Sequence, residues 1–156
     1  MSVEQQQENP ETRARQHWMG VLAKSAGSTL QQHWQALSLE PEYQFIRQPE
    51  TGLTMLRGRV GGSGQPFNMG EMTLTRCAVR LASGTLGVSY VAGRSPQHAI
   101  TAALADALLQ EDDTQALLQH ELIEPLQAHL HAEHQQRAAQ ANSTRVDFFT
   151  LVRGED

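Results

Sequence analysis

A chain of 156 residues is the size of one ordinary domain with extended arms, and with 39% hydrophobic and 5% aromatic residues it can build only a lean core, which favours completing burial against another protein. The net charge of −5 excludes general nucleic-acid binding, which needs a basic footprint. A lone cysteine, Cys77, excludes an internal disulfide or a Cys-based zinc or iron–sulfur site; no apolar run approaches a membrane span and the first residues lack a secretion pattern, so the chain reads as cytoplasmic.

In chain order, residues 1–10, rich in Gln and Glu, read as a disordered lead-in to a single α+β domain over 11–156. From Glu11 to Ala26, the positions Ala14, Trp18, Val21, Leu22 and Ser25 fall on one helical face, with Gly27 as the stop. Ser28-Thr29-Leu30-Gln31 resembles a capping box that opens a second helix bearing Leu30, Trp34 and Leu37, ended by Pro41. This helical arm, residues 11–38, holds both tryptophans and has little else to bury, so it needs a docking surface on its own sheet or on a partner.

The period then changes to two. Strands are predicted at Tyr43–Arg47, Leu53–Val60, Glu71–Ala82 and Leu86–Ala92, separated by Thr51-Gly52, the Gly61-to-Gly64 run and Ser83-Gly84. Short turns imply antiparallel pairing. Ser95-Pro96 is an N-cap with Pro at the first helical position, and Ile100, Ala103, Leu104, Ala107 and Leu108 trace a helical stripe. Glu111-Asp112-Asp113 suits the start of another helix, since negative charge favours the N-terminal dipole. That helix runs through Leu118, Leu122, Leu126 and Leu130 to about Ala141, bent or restarted at Pro125. Thr144 to Val152 alternates and reads as a final strand, completing an antiparallel sheet of four to five strands with helices before and after it.

Charge is unevenly spread. Residues 1–42 carry three bases and five acids (−2), residues 43–94 six Arg and two Glu (+4), and residues 95–156 three Arg and ten acids (−7). Arg57 and Arg59 share a face of one predicted strand, Arg76 and Arg80 share a face of the next, and Arg94 precedes a helix N-terminus. Between them, Gly61, Gly62, Gly64 and Asn68 lie in a Gly-rich segment whose backbone N–H groups, with guanidinium forks, suit a phosphate or phosphonate. The alternative is a flexible hairpin loop whose arginines are solvated or paired with a partner's acids. His98, at the third position of its helix, is either an anion or acid–base group or a helix-terminus polar contact. His131 and His134 could touch one metal, but His129 is rotated about 200° from His131, and without a third ligand no metal site is assigned. Cys77 reads as a small buried residue, and no triad or carboxylate pair suggests a self-sufficient active site.

Ordered motifs carry a family resemblance. Arg15-Gln16-His17-Trp18-Met19, Val21-Leu22-Ala23, Gly52-Leu53, Met55-Leu56-Arg57-Gly58-Arg59 and the run Gly61 to Asn68 resemble the G subunit of the carbon–phosphorus lyase core complex. So do Gly70-Glu71, Thr75 to Leu81, Tyr90 to Arg94, His98-Ala99, Asp106 to Gln110 and Thr144 to Glu155, with Asp112 to Asn142 the weakest stretch. The resemblance implies assembly with the H, I and J subunits, two copies of each, with direct contact to the I subunit. It implies a system in which an alkylphosphonate displaces adenine from ATP to give a ribose 1-phosphonate 5-triphosphate. The nucleosidase-like chemistry then belongs to the I subunit, and the later radical step to the J subunit with its iron–sulfur cluster and S-adenosylmethionine. No catalytic residue and no cofactor of its own is implied for this chain. ATP and alkylphosphonate are substrates of the complex, and neither nucleic acid nor membrane is an expected partner. Arg57, Arg59, Arg76, Arg80, Arg94 and His98, with Gly61, Gly62, Gly64 and Asn68, are the expected contacts to substrate anions or to partner acids.

Overall fold

The computed structural model describes residues 9–146. Two helices, α1 (Pro10–Lys24) and α2 (Gly27–Leu37), precede three strands, β1 (Tyr43–Arg59), β2 (Pro66–Leu81) and β3 (Leu86–Ala92). There follow α3 (Pro96–Leu109), α4 (Asp112–Leu118), a π-helical turn (Gln119–Ile123) and α5 (Glu124–Ser143). The class is the α+β one expected, with helices before and after an antiparallel sheet of order β1-β2-β3.

The sheet has three strands among the described residues, not four or five. The two strands expected at Tyr43–Arg47 and Leu53–Val60 are one continuous β1. Gln48-Pro49 and Thr51-Gly52 look like a break, but β1 is an edge strand, where proline and glycine are tolerated. Pro49 falls between Arg47 and Glu50, where the pairing register with β2 shifts, and the irregularity absorbs a residue without an N–H. The last expected strand lies mostly outside the described residues; Thr144 instead ends α5.

Helix boundaries differ for local reasons. Asn9 caps α1 through its side chain, accepting from the Glu11 N–H at 3.1 Å, and Pro10 is the first helical residue. The helix ends at Lys24 rather than at Gly27, with Ser25 extended and its hydroxyl donating to the Val21 carbonyl at 2.7 Å. The capping box at Ser28 is not formed. Helix α2 begins two residues earlier, at Gly27, with Ala26 in the cap position and no side-chain cap, and it stops at Leu37 on the left-handed Ser38 (φ 52°) before Pro41 is reached. Ser95 occupies the cap position of α3 without a side-chain hydrogen bond. The restart anticipated at Pro125 is the π-helical turn immediately before α5. A proline cannot donate to the ladder and crowds the carbonyl four residues back, and the wider turn relieves both.

The core is organised around α3. Ala99 and residues 101–109 are all buried, so this helix is enclosed on every side rather than on one stripe. β2 and β3 cover one flank, and α1, α2 and α4 pack on the others. Its alanines make this possible, because small side chains let neighbours approach closely. β3 comes so near that a Cβ at Gly87 would collide with the Ala103 carbonyl and with Ala107. Trp18 and Trp34 are both buried within this cluster, together with Leu22, Leu30, Leu118, Leu122, Ile123 and Leu126.

Candidate functional site

The α1–α3 junction is fixed by a buried carboxylate that spacing alone did not reveal. Asp106 has no exposed surface and accepts from Arg15 Nε (3.2 Å) and Nη2 (2.8 Å), from Trp18 Nε1 (2.9 Å) and from the Val88 N–H (2.9 Å). One carboxylate thus ties α1, α3 and the edge of β3 together. Its lone pairs are taken by the protein's own donors, so this is a structural centre. The signal in the sequence is an Asp inside an otherwise apolar helical stripe, with an Arg and a Trp three apart on an earlier helix.

His98 belongs to the same scaffold. Its Nε2 donates to the Leu22 carbonyl at 2.8 Å, and the ring packs on Gly27, so it joins the start of α3 to the end of α1. Of its two readings, the helix-terminus polar contact matches this geometry. Cys77 is buried on β2, and burial pushes its thiol above the ordinary range, away from the reactive thiolate. Among the described residues no three His, Cys, Asp or Glu side chains could hold a metal ion.

The arginines form two groups that do not converge. In β2, Thr75, Cys77, Val79 and Leu81 face the core, whereas Arg76 and Arg80 lie on the opposite, uncovered face beside Tyr90 and Leu86 of β3. Arg57 and Arg59 of β1 continue the other row, the one that carries Thr51, whose hydroxyl lies 3.3 Å from that of Thr75. Arg59 pairs in register with Pro66, far along β2 from Arg76, a separation of about 30 Å at strand spacing. Arg57 and Asn68 line a shallow groove of about 270 Å³ near the hairpin tip; Arg80 lines a different one of about 330 Å³ with Tyr43 and Glu42 at the far end. Arg76 donates from Nε to Glu50 at 3.2 Å, and Arg47 donates to the same carboxylate oxygen at 3.0 Å. The Arg47 hydrogen bond, then the Arg76 charge and hydrogen bond, hold the Glu50 carboxyl below its usual range. Arg94 is exposed before α3.

The least satisfied region is the distal hairpin. β3 pairs with β2 only from Leu74 to Arg80, so residues 52–73 extend beyond it as two strands alone. They close over a tip in which Gly61 and Gly62 take positive φ (60° and 83°) and the Gly64 N–H donates to the Val60 carbonyl at 2.8 Å. A Cβ on Gly64 would stand 2.6 Å from that carbonyl oxygen, so the glycines here make the tight closure itself. Arg59 Nη1 reaches the Gly64 carbonyl at 3.4 Å, while Arg57 has no ion pair among the described residues. Leu53, Met55, Leu56, Val60, Phe67 and Met69 are all exposed, Leu53 to 69%. The signal for this apolar surface in the sequence is the run Leu53 to Leu56, where apolar residues stand at both odd and even positions beside the more conspicuous arginines and glycines.

The family model described as "Phosphonate metabolism protein PhnG" matches residues 13–154. A relative from Rhizobium meliloti (strain 1021), alpha-D-ribose 1-methylphosphonate 5-triphosphate synthase subunit PhnG, is 43% identical over 142 residues, which cover 91% of this chain and 90% of the relative.

Proposed function

The chain belongs to the PhnG family of phosphonate metabolism proteins, and from that premise we propose that it is a subunit of a phosphonate ribosyl triphosphate synthase. The observation that carries this reading is the likeness to the Rhizobium subunit across nine tenths of both chains. In the reaction, a phosphonate oxygen attacks C1′ of ATP as the bond from C1′ to adenine breaks, giving a ribose 1-alkylphosphonate 5-triphosphate and free adenine. Water is the competing nucleophile. The chain supports this displacement as an accessory of a cytoplasmic transferase assembly with the H, I and J subunits, two copies of each, and meets the I subunit directly. It binds no cofactor itself and has little activity alone. Among the described residues the one buried carboxylate, Asp106, is consumed by structural donors, which supports a chain that works through its partners.

Two groups remain for anion contacts. Arg57 and Arg59, with Asn68 and the tip glycines, can meet substrate oxygens or partner carboxylates from the hairpin; Arg80 and Arg94 can do so from the body. A positioned guanidinium would favour the anionic nucleophile over water by orientation and charge. The rival reading, a structural adaptor that never meets substrate, is favoured by two observations: Arg76 is already engaged by Glu50, and Arg57 and Arg59 lie on the face opposite Arg76 and Arg80.

The test is reconstitution of the complex with wild-type chain, Arg59→Ala or Arg76→Ala, followed by chromatography of the nucleotide products. For the substrate-contact reading, Arg59→Ala lowers the ratio of phosphonate adduct to free ribose triphosphate about tenfold or more, equivalent to about 1.4 kcal/mol in the transition state. An unchanged ratio in intact complexes for both variants leaves the adaptor reading. Failure of the wild-type chain to enter any assembly overturns the subunit reading altogether.

A further inference from the structure

We infer that the hairpin arm, residues 52–73, is a two-faced wedge that inserts into an apolar cleft rimmed with carboxylates on another subunit; this rests on the subunit reading above. The arm has no core of its own. Beyond the Leu74–Ala92 pair no third strand lies beside it among the described residues, and Leu53, Met55, Leu56, Val60, Phe67 and Met69 are all exposed; an isolated two-stranded hairpin is at best marginal in water. A 17-residue β1 ending in such an arm is therefore built to be covered by something else.

The distribution of apolar groups says what kind of surface covers it. Leu53 and Met55 alternate on one row of β1, and Leu56 on the other. Phe67 and Met69 join the Leu56 side, because both approach the position a Cβ would take at Gly58. A flat partner surface would leave one of these faces in water, whereas a cleft with two walls covers both. Residues 52–73 also supply about the number, roughly 20–30, that one side of a standard interface contributes.

Charge selects the rim. Within residues 52–73 the cations are Arg57 and Arg59 and the only carboxylate is Glu71, on a chain whose net charge is −5. A partner that presents carboxylates at the mouth of the cleft satisfies both guanidinium groups. Pairing of two copies arm to arm would bring four arginines together, and like charges brought face to face are costly, so the occupant is a different chain.

The experiment is co-expression of the tagged full-length chain with the other subunits of the synthase, purified on the tag and read by native mass spectrometry. Three double variants are compared: Leu53→Asp with Met55→Asp, Leu56→Asp with Phe67→Asp, and Leu86→Asp with Tyr90→Asp on the bare sheet face beside β3. Far-UV circular dichroism and the melting temperature of each purified chain establish that it folds. Each arm variant is expected to lower the recovered assembly at least tenfold, and the sheet-face variant to leave it unchanged. Wild-type recovery in both arm variants, with a wild-type chain that assembles, overturns the wedge and leaves the subunit reading intact. Loss from one face only overturns the cleft in favour of a flat surface. A homodimer of the chain alone that the arm variants abolish overturns the choice of occupant. No assembly by the wild-type chain defeats the subunit reading on which the inference rests.

Discussion

The carboxylate of Asp106 accepts hydrogen bonds from α1 and from β3 while sitting in the last turn of α3, so three elements depend on one side chain. Asp106→Ala leaves the Arg15 guanidinium, the Trp18 indole N–H and the Val88 N–H without their acceptor. Arg15 is itself about a third exposed and recovers some solvation, so the expected loss is about 3 kcal/mol, near the low end for breaking a buried pair. Urea denaturation of the isolated chain measures it, and Asp106→Asn, which keeps one acceptor, should fall between. Glu50 makes a weaker, exposed clamp. Its folded carboxyl titrates below the ordinary 4.5, so Arg47 and Arg76 are held at neutral pH and released as the pH falls through that depressed value. The denaturation midpoints of wild type and Glu50→Gln should therefore differ at pH 7 and draw together as the pH falls below the ordinary carboxylate range.

The strand β3 and helix α3 meet where neither has a side chain to spare. Gly87 lies against the Ala103 carbonyl and Ala107, so any Cβ there forces the strand off the helix. Gly87→Ala should cost about 3 kcal/mol, the upper end for overpacking, although alanine is ordinarily the mildest replacement for glycine. The chain denaturation midpoint checks it. Helix α5 behaves in the opposite way. Its residues 131–143 are all exposed, and only its first turns reach the core, through Leu126 and partly through Leu130. Amide exchange should accordingly be fast from His131 onward and slowest in α3, whose opening requires the whole core to come apart. Comparable protection in both helices would contradict this ordering.

For the molecule as a whole, the core lies at one end and the unsupported arm at the other. Stability of the isolated chain should come almost wholly from the α1–α2–α3–β3 body. Exchange protection of the 52–73 amides should be low in the free chain and rise by at least tenfold in the assembled complex, since binding stabilises what it covers. If the arm is equally protected in both states, it does not take part in assembly.

How much of this was legible depended on whether neighbours along the chain or neighbours in space decide the outcome. The change from a period of 3.6 to a period of 2 near Tyr43, the turn at Ser83-Gly84, the start of α3 at Pro96 and the disturbance before Pro125 all follow from local backbone preference and could be read residue by residue. So could the family, whose ordered motifs survive in the linear chain. The continuity of β1 through Pro49 could not, because it depends on β1 being an edge. Nor could the enclosure of α3, where a helix whose apolar stripe suggests one buried face is covered on every side by elements distant in sequence. The arginines show the same division: alternation paired Arg57 with Arg59 and Arg76 with Arg80, but the register of β1 against β2 put the two pairs on opposite sides. Local dihedral preference and periodicity act over a few residues and are written in the chain; burial depends on what arrives from elsewhere, and only the packed molecule shows which face it takes.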